Sequence, residues 1–233
     1  MTIAEKILRA KTDYDEVYAA GQAAGGGGGG VDAGLDLFWE TYQQGGARTG
    51  YSDHYDGSNW TNETFKPKYT LYATRSGSQF QYSVITNYDA LKMVDFSKCT
   101  NFNYMFQYAK CTHLGVIDMR KGATTTHESF YGMSELETID KIILKDDGSQ
   151  LMSNCFIGCG KLANITFEGV IGYNFAFTPC PNLTRDSLMS IIEHLQDFSG
   201  TTTKKTLQLH ATAKARITEE DIAIATQKGW TLA

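Results

Sequence analysis

The stretch FIGCGKLANITF, residues 156–167, sets Phe156, Cys159, Leu162 and Ile165 at every third position. That spacing fits neither the 3.6-residue period of a helix nor the two-residue alternation of a strand. It recurs along the chain. FYGMSELETID carries Phe130, Met133, Leu136 and Ile139, and YAKCTHLGVIDM carries Tyr108, Cys111, Leu114 and Ile117. FTPCPNLTRD carries Phe177, Cys180 and Leu183, then loses the last apolar position at Asp186. A weaker copy runs from Ile85 through Tyr88, Leu91 and Val94. The shared rule is aromatic-x-x-(Cys/Met)-x-x-Leu-x-x-(Ile/Val).

The leucines at 91, 114, 136, 162 and 183 are separated by 23, 22, 26 and 21 residues, inside the period of about 20–29 residues of leucine-rich repeats. The runs LKMVDF, LGVIDM, LETIDK and LANITF each read as a short strand. Equivalent strands of successive turns stack in parallel about 4.8 Å apart. One turn cannot bury its own apolar face, so neighbouring turns bury it for one another. The expectation is a right-handed stack of about five turns over residues 85–183. In it, Leu91, Leu114, Leu136, Leu162 and Leu183 form one buried ladder, with Val94, Ile117, Ile139 and Ile165 beside it. A second apolar run before each aromatic, as in NYMF, HESF, SNCF and YNFAF, gives each turn another short strand.

The pattern resembles the BspA-like leucine-rich repeats of bacterial surface proteins and of phage or prophage structural proteins, over roughly residues 85–183 with matching flanks. Met105–Ile117 carries the signature most clearly. It departs from the usual spacing by two extra residues between Met105-Phe106 and Cys111. The spacing around KDDGSQ is also long, as for an insertion at a turn where Asp-Gly favours a tight reversal. The resemblance implies a non-enzymatic virion structural protein of a Gram-positive phage or prophage, a tail, baseplate or other surface appendage. The alternative is a bacterial surface adhesin or host-interaction protein.

The flanks are patterned differently. Thr2 can cap a helix with Ile3, Ile7 and Leu8 on one face, continued by Tyr14, Val17 and Tyr18. Six successive glycines at 25–30 cannot sustain a helix and read as a flexible joint. LDLFWETYQQGG reads as a second helix with the stripe Leu35, Phe38, Trp39 and Tyr42. Ile3, Ile7, Leu8, Tyr14, Val17, Tyr18, Phe38 and Trp39 are the candidate docking residues toward other virion proteins. Residues 48–69 resemble the segment preceding such repeats and would close the first open edge of the stack. At the other end, RDSLMSIIEHLQDF reads as a helix with Leu188, Ile191, Ile192 and Leu195 on one face. TLQLHA alternates as a strand, Thr218 and Asp221 open another helix that Gly229 ends, and WTLA is an edge strand. The expected fold class is α+β: a leucine-rich-repeat-type solenoid with short parallel strands, N-terminal helices and a C-terminal strand-helix-strand cap. The expected divisions are a docking segment over 1–46, an N-terminal cap over 47–84, repeats over 85–186 and a C-terminal cap over 187–233.

Composition narrows the chemistry. A net charge of −5 argues against a nucleic-acid surface, which usually reads basic. No run of about 18 apolar residues calls for a membrane span, and the charged N-terminus lacks the apolar region of a signal peptide. The expectation is synthesis in the bacterial host cytoplasm and residence in the virion. Five cysteines, Cys99, Cys111, Cys155, Cys159 and Cys180, read as buried free thiols. Cys159 fits the repeat beside Cys111 and Cys180, so packing explains it better than zinc. The poly-glycine run matches a dinucleotide-binding motif only trivially, because no strand precedes it. The acidic stretch at 53–59 lacks the spacing of a calcium loop. His54, His113, His127, His194 and His210 sit in no catalytic motif. No catalytic residue, metal ligand or cofactor is expected.

What remains is a surface. Between the buried anchors, strand alternation turns polar side chains outward on one side. The candidate binding face comprises Lys92, Asp95, Asp118, Glu137, Asp140, Asn164 and Thr166, suited to a host-surface glycan or protein. A homo-oligomeric arrangement in the assembly is the expectation for such an appendage.

Overall fold

The computed structural model describes residues 60–63, 65–67, 70–73 and 77–233, together with the backbone of Leu35–Asp36; all lie in the compact unit Leu35–Ala233. The expected first helix, the glycine joint and all eight candidate docking residues lie outside the described residues. Where the second helix was expected to begin, Leu35–Asp36 instead forms strand β1, paired in parallel with β2 (Leu71–Tyr72). Pairing with a neighbouring edge outweighs local helix propensity over so short a segment.

Among the described residues the fold is α+β, with short parallel strands, few helices and no closed barrel. β3 (Val94–Asp95) follows a one-turn helix, α1 (Tyr88–Leu91), and completes the sheet β1-β2-β3. β4 (His113–Asp118), β6 (Thr138–Ile143) and β8 (Asn164–Glu168) form a second parallel sheet. β5 (Thr125–His127) and β7 (Leu151–Ser153) form a third, leading into HESF and SNCF where a second strand was expected, whereas NYMF, residues 103–106, forms turns instead. β9 (Phe175–Phe177), β10 (Lys205–Leu209) and β11 (Trp230–Leu232) form the fourth. Between β9 and β10 lies α2 (Arg185–Glu193), which buries Leu188, Ile191 and Ile192. A short helix α3 (Ala211–Lys214) and α4 (Glu219–Gln227) precede β11. Thr218 and Asp221 form the capping box of α4, and Gly229 takes φ +85° beyond its end.

A column of phenylalanine rings runs through the core. Phe80 stacks on Phe106 (5.0 Å, 9°), Phe106 on Phe130 (5.9 Å, 9°), Phe130 on Phe156 (5.4 Å, 15°) and Phe156 on Phe177 (4.7 Å, 28°). Beside the first four rings, Phe80, Phe106, Phe130 and Phe156, the backbone turns through left-handed positions. One set is Ser78, Tyr104, Glu128 and Asn154; the other is Tyr82, Tyr108, Gly132 and Gly158. These set the phase of the repeat, and they correct the sequence reading twice. The aromatic of the first turn is Phe80, not Ile85, so the repeating pattern begins before residue 85. The aromatic of the next is Phe106, not Tyr108, which is 38% exposed.

The strand register follows from that phase. Leu114 lies opposite Ile139, which lies opposite Ile165; Ile117 lies opposite Ile142, which lies opposite Phe167. All five leucines are buried, as are Val94, Ile117, Ile139 and Ile165, but they do not form a single leucine ladder. Glu137 bonds backbone to backbone with Thr112 and Ala163, and Thr184 with Ala163. The residues just before them, Cys111, Leu136, Leu162 and Leu183, are therefore equivalent. An every-third apolar pattern is unchanged when slid by three residues, and that ambiguity misplaced one turn.

Candidate functional site

β3 and β4 belong to different sheets, and α1 intervenes between Ile85 and β3. Asn87 caps α1, its side chain accepting from the Asp89 N–H. The helix brings the backbone of Lys92 over Gly115, where a Cβ would meet Lys92 Cα at 3.6 Å. Between the strands opens a groove of about 440 Å³. Four of the seven candidate face residues, Lys92, Asp95, Asp118 and Asp140, line it, with Tyr88, Val116 and Gly115. Glu137, Asn164 and Thr166 are exposed on the same sheet region but outside the groove.

At the groove's edge three successive segments meet. Tyr88 of α1 donates its hydroxyl to Asp140 Oδ2 on β6, and His113 of β4 donates from Nε2 to Asp140 Oδ1 at 2.7 Å. The Tyr88 and His113 rings stack with centroids 3.8 Å apart and planes within 8°. Burial raises the Asp140 pKa, but the hydrogen bonds from Tyr88 and His113 and the His113 charge more than offset it, and the carboxyl is held below its usual range. The same hydrogen bond, with burial and the charges of Asp140 and Asp89, pushes the Tyr88 phenol up to about 12. At neutral pH the site thus holds a carboxylate and an un-ionised phenol. Lys92 pairs with Asp89 at 2.6 Å and lies 5.6 Å from the Tyr88 ring.

Asp118 differs from the expectation of an outward carboxylate. It is 7% exposed and faces the groove from its end, level with Ile143 rather than Asp140. Arg120 holds it through Nε at 3.0 Å and a terminal nitrogen at 2.6 Å, and the Arg120 backbone N–H adds a third bond. The reason is the register: Asp140 lies level with Gly115, three residues before Asp118. Asp95 accepts the Ser97 N–H at 2.7 Å and closes a local turn. Thr166 donates to the Asp140 backbone carbonyl, and Asn164 contacts Thr138 Oγ1 at 3.5 Å.

Reading the sequence missed Tyr88 and His113 as partners of the site. Tyr88 was placed as an inward repeat residue, and nothing local links position 88 with 113 and 140; only the stacking of turns does. The arrangement offers a carboxylate, aromatic edges and an exposed Val116, groups for noncovalent recognition of a polar ligand. The five cysteines are free and buried elsewhere in the core. Burial raises the pKa of every one, to about 12 at Cys99, Cys111, Cys155 and Cys180. Cys159 Sγ donates to the Phe130 carbonyl at 3.0 Å. Among the described residues no three His, Cys, Asp or Glu side chains gather into a metal-ligating cluster, and no helix is long and apolar enough to cross a membrane.

Comparison with family models, with curated proteins and with solved structures returns no match for this chain.

Proposed function

We propose that the protein is a leucine-rich-repeat-type solenoid carried on a phage particle as a non-enzymatic structural component. In this reading, residues 1–46 dock it to other virion proteins, and the repeat unit projects as part of a tail, baseplate or other appendage. The groove between β3 and β4 then serves as a recognition surface for a host-surface glycan or protein. The observation that carries the reading is the column Phe80–Phe106–Phe130–Phe156–Phe177, which continues one inward pattern through five turns. Repeats of this kind stabilise themselves through neighbours and leave a long surface for binding.

The test is to encode the full chain, and a second version lacking residues 1–46, in the producing strain and to analyse purified particles by mass spectrometry. The full chain should be found in particles and the shortened one should be lost from them. Recovery of the full chain in the bacterial envelope instead would favour the adhesin reading, and equal incorporation of both versions would remove the docking role.

A further inference from the structure

A second groove lies on the other sheet side, and its chemistry differs. β7 ends the sheet β5-β7, and β9 ends the sheet β9-β10-β11; the two strands are not hydrogen-bonded to each other. Between them opens a concavity of about 480 Å³, a size ordinary for a small-molecule site. Its lining holds no Asp, Glu, Lys, Arg or His, in a chain of which 20% is charged. Instead it presents hydroxyl and amide side chains. Those of Ser153, Asn154, Thr178 and Gln208 hydrogen-bond to no partner among the described residues. Asn174 is oriented by its Oδ1, which accepts the Thr206 N–H at 3.0 Å, and its amide nitrogen remains available. Ile157, 40% exposed, adds an apolar element to the lining.

We propose that this groove binds a neutral saccharide. Uncharged donors and acceptors that the protein leaves unpaired match the hydroxyls of an uncharged sugar, and Ile157 suits the C–H face of a ring. A charged ligand would find no counter-charge here. An inserted peptide strand would engage the edge backbones of β7 and β9, whereas what the groove presents is a set of side-chain amides and hydroxyls. The site is separate from the groove of Asp140 and does not depend on the virion reading.

The experiment is saturation-transfer NMR on the full chain with maltose, cellobiose, lactose and diacetylchitobiose at millimolar concentration, alongside glucuronic acid, glucosamine and an extended peptide. Asn154→Gly combined with Gln208→Ala removes two amides. Residue 154 has φ +56°, which glycine adopts without strain. At least one neutral disaccharide should bind, and its affinity should fall about tenfold or more in this variant, with an unchanged circular dichroism spectrum and urea midpoint. Asp140→Asn should bind it as the native chain does. Silence across all four neutral disaccharides would overturn the proposal, as would affinity unaffected by the amide variant, equal binding of the charged sugars, or binding of the peptide in their place.

Discussion

The phenol ring of Tyr108 packs directly against Gly132. A Cβ on that glycine would sit 2.4 Å from Tyr108 Cδ1, and Gly132 holds φ +72°. Tyr82 stacks on Tyr108, with ring centroids 5.3 Å apart and planes within 8°. Gly132→Ala therefore meets both a steric clash and a left-handed backbone. Unfolding in urea should show a loss of roughly 1–3 kcal/mol. Adding Tyr108→Ala should recover the steric share and leave the backbone share. Full recovery would mean that the backbone conformation carries no cost.

The register gives a second prediction. Leu136 is fully buried, and Leu136→Ala should cost about 2–5 kcal/mol as a core truncation. Cys111 occupies the equivalent place one turn earlier and has less side chain to lose, so Cys111→Ala should cost clearly less in the same titration. Equal losses would contradict the equivalence of the two positions.

Asp140 makes stability depend on pH in a defined direction. Its folded-state pKa lies below the ordinary carboxylate value, so the folded state favours the ionised form. The contribution is present above the unfolded value of about 3.9 and is lost as pH falls through the folded one. Asp140→Asn should remove that component. The stability difference between native and variant chains should narrow steadily from pH 5 to about pH 2; a difference that widens on acidification would reverse the sign.

The thiols provide a fourth measurement. With burial pushing Cys99, Cys111, Cys155 and Cys180 to about 12 and Cys159 upward as well, the thiolate is scarce at neutral pH. A chromogenic disulfide reagent should react slowly with native protein and count five thiols after denaturation without reductant. Fast labelling of the native chain would show that the core opens readily.

Much of this architecture is legible in the chain because its signals are local. The Phe156, Cys159, Leu162 and Ile165 spacing marks a turn, and Thr218 with Asp221 marks the start of a helix. Phase was harder. Tyr-x-x-Cys-x-x-Leu-x-x-Ile at 108–117 repeats every three residues and fits two registers, and only the stacking of Phe106 between Phe80 and Phe130 separates them. Lys92, Asp95, Asp118 and Asp140 stood out in the sequence as polar positions between the buried anchors, but not as the lining of a groove. Tyr88 and His113 did not stand out, because their bond to Asp140 joins residues 52 and 27 positions away. The neutral groove was illegible for the same reason: Asn154, Asn174 and Gln208 come from separate turns.

The column of phenylalanine rings joins successive segments of the core through closely similar contacts. Phe106 meets Phe130 much as Phe130 meets Phe156, near-parallel at 5.9 and 5.4 Å. β4 and β8 both pair with β6 in parallel, His113 and Asn164 facing the same Thr138. Excising residues 130–155 would join Ser129 to Phe156 and set β4 beside β8, with the register shift that β6 makes against β8 between Ile139 and Ile142, and not against β4, left to be absorbed. Loss of an interior segment would therefore leave a phenylalanine on each side of the cut, Phe106 and Phe156, free to restore the same ring contact.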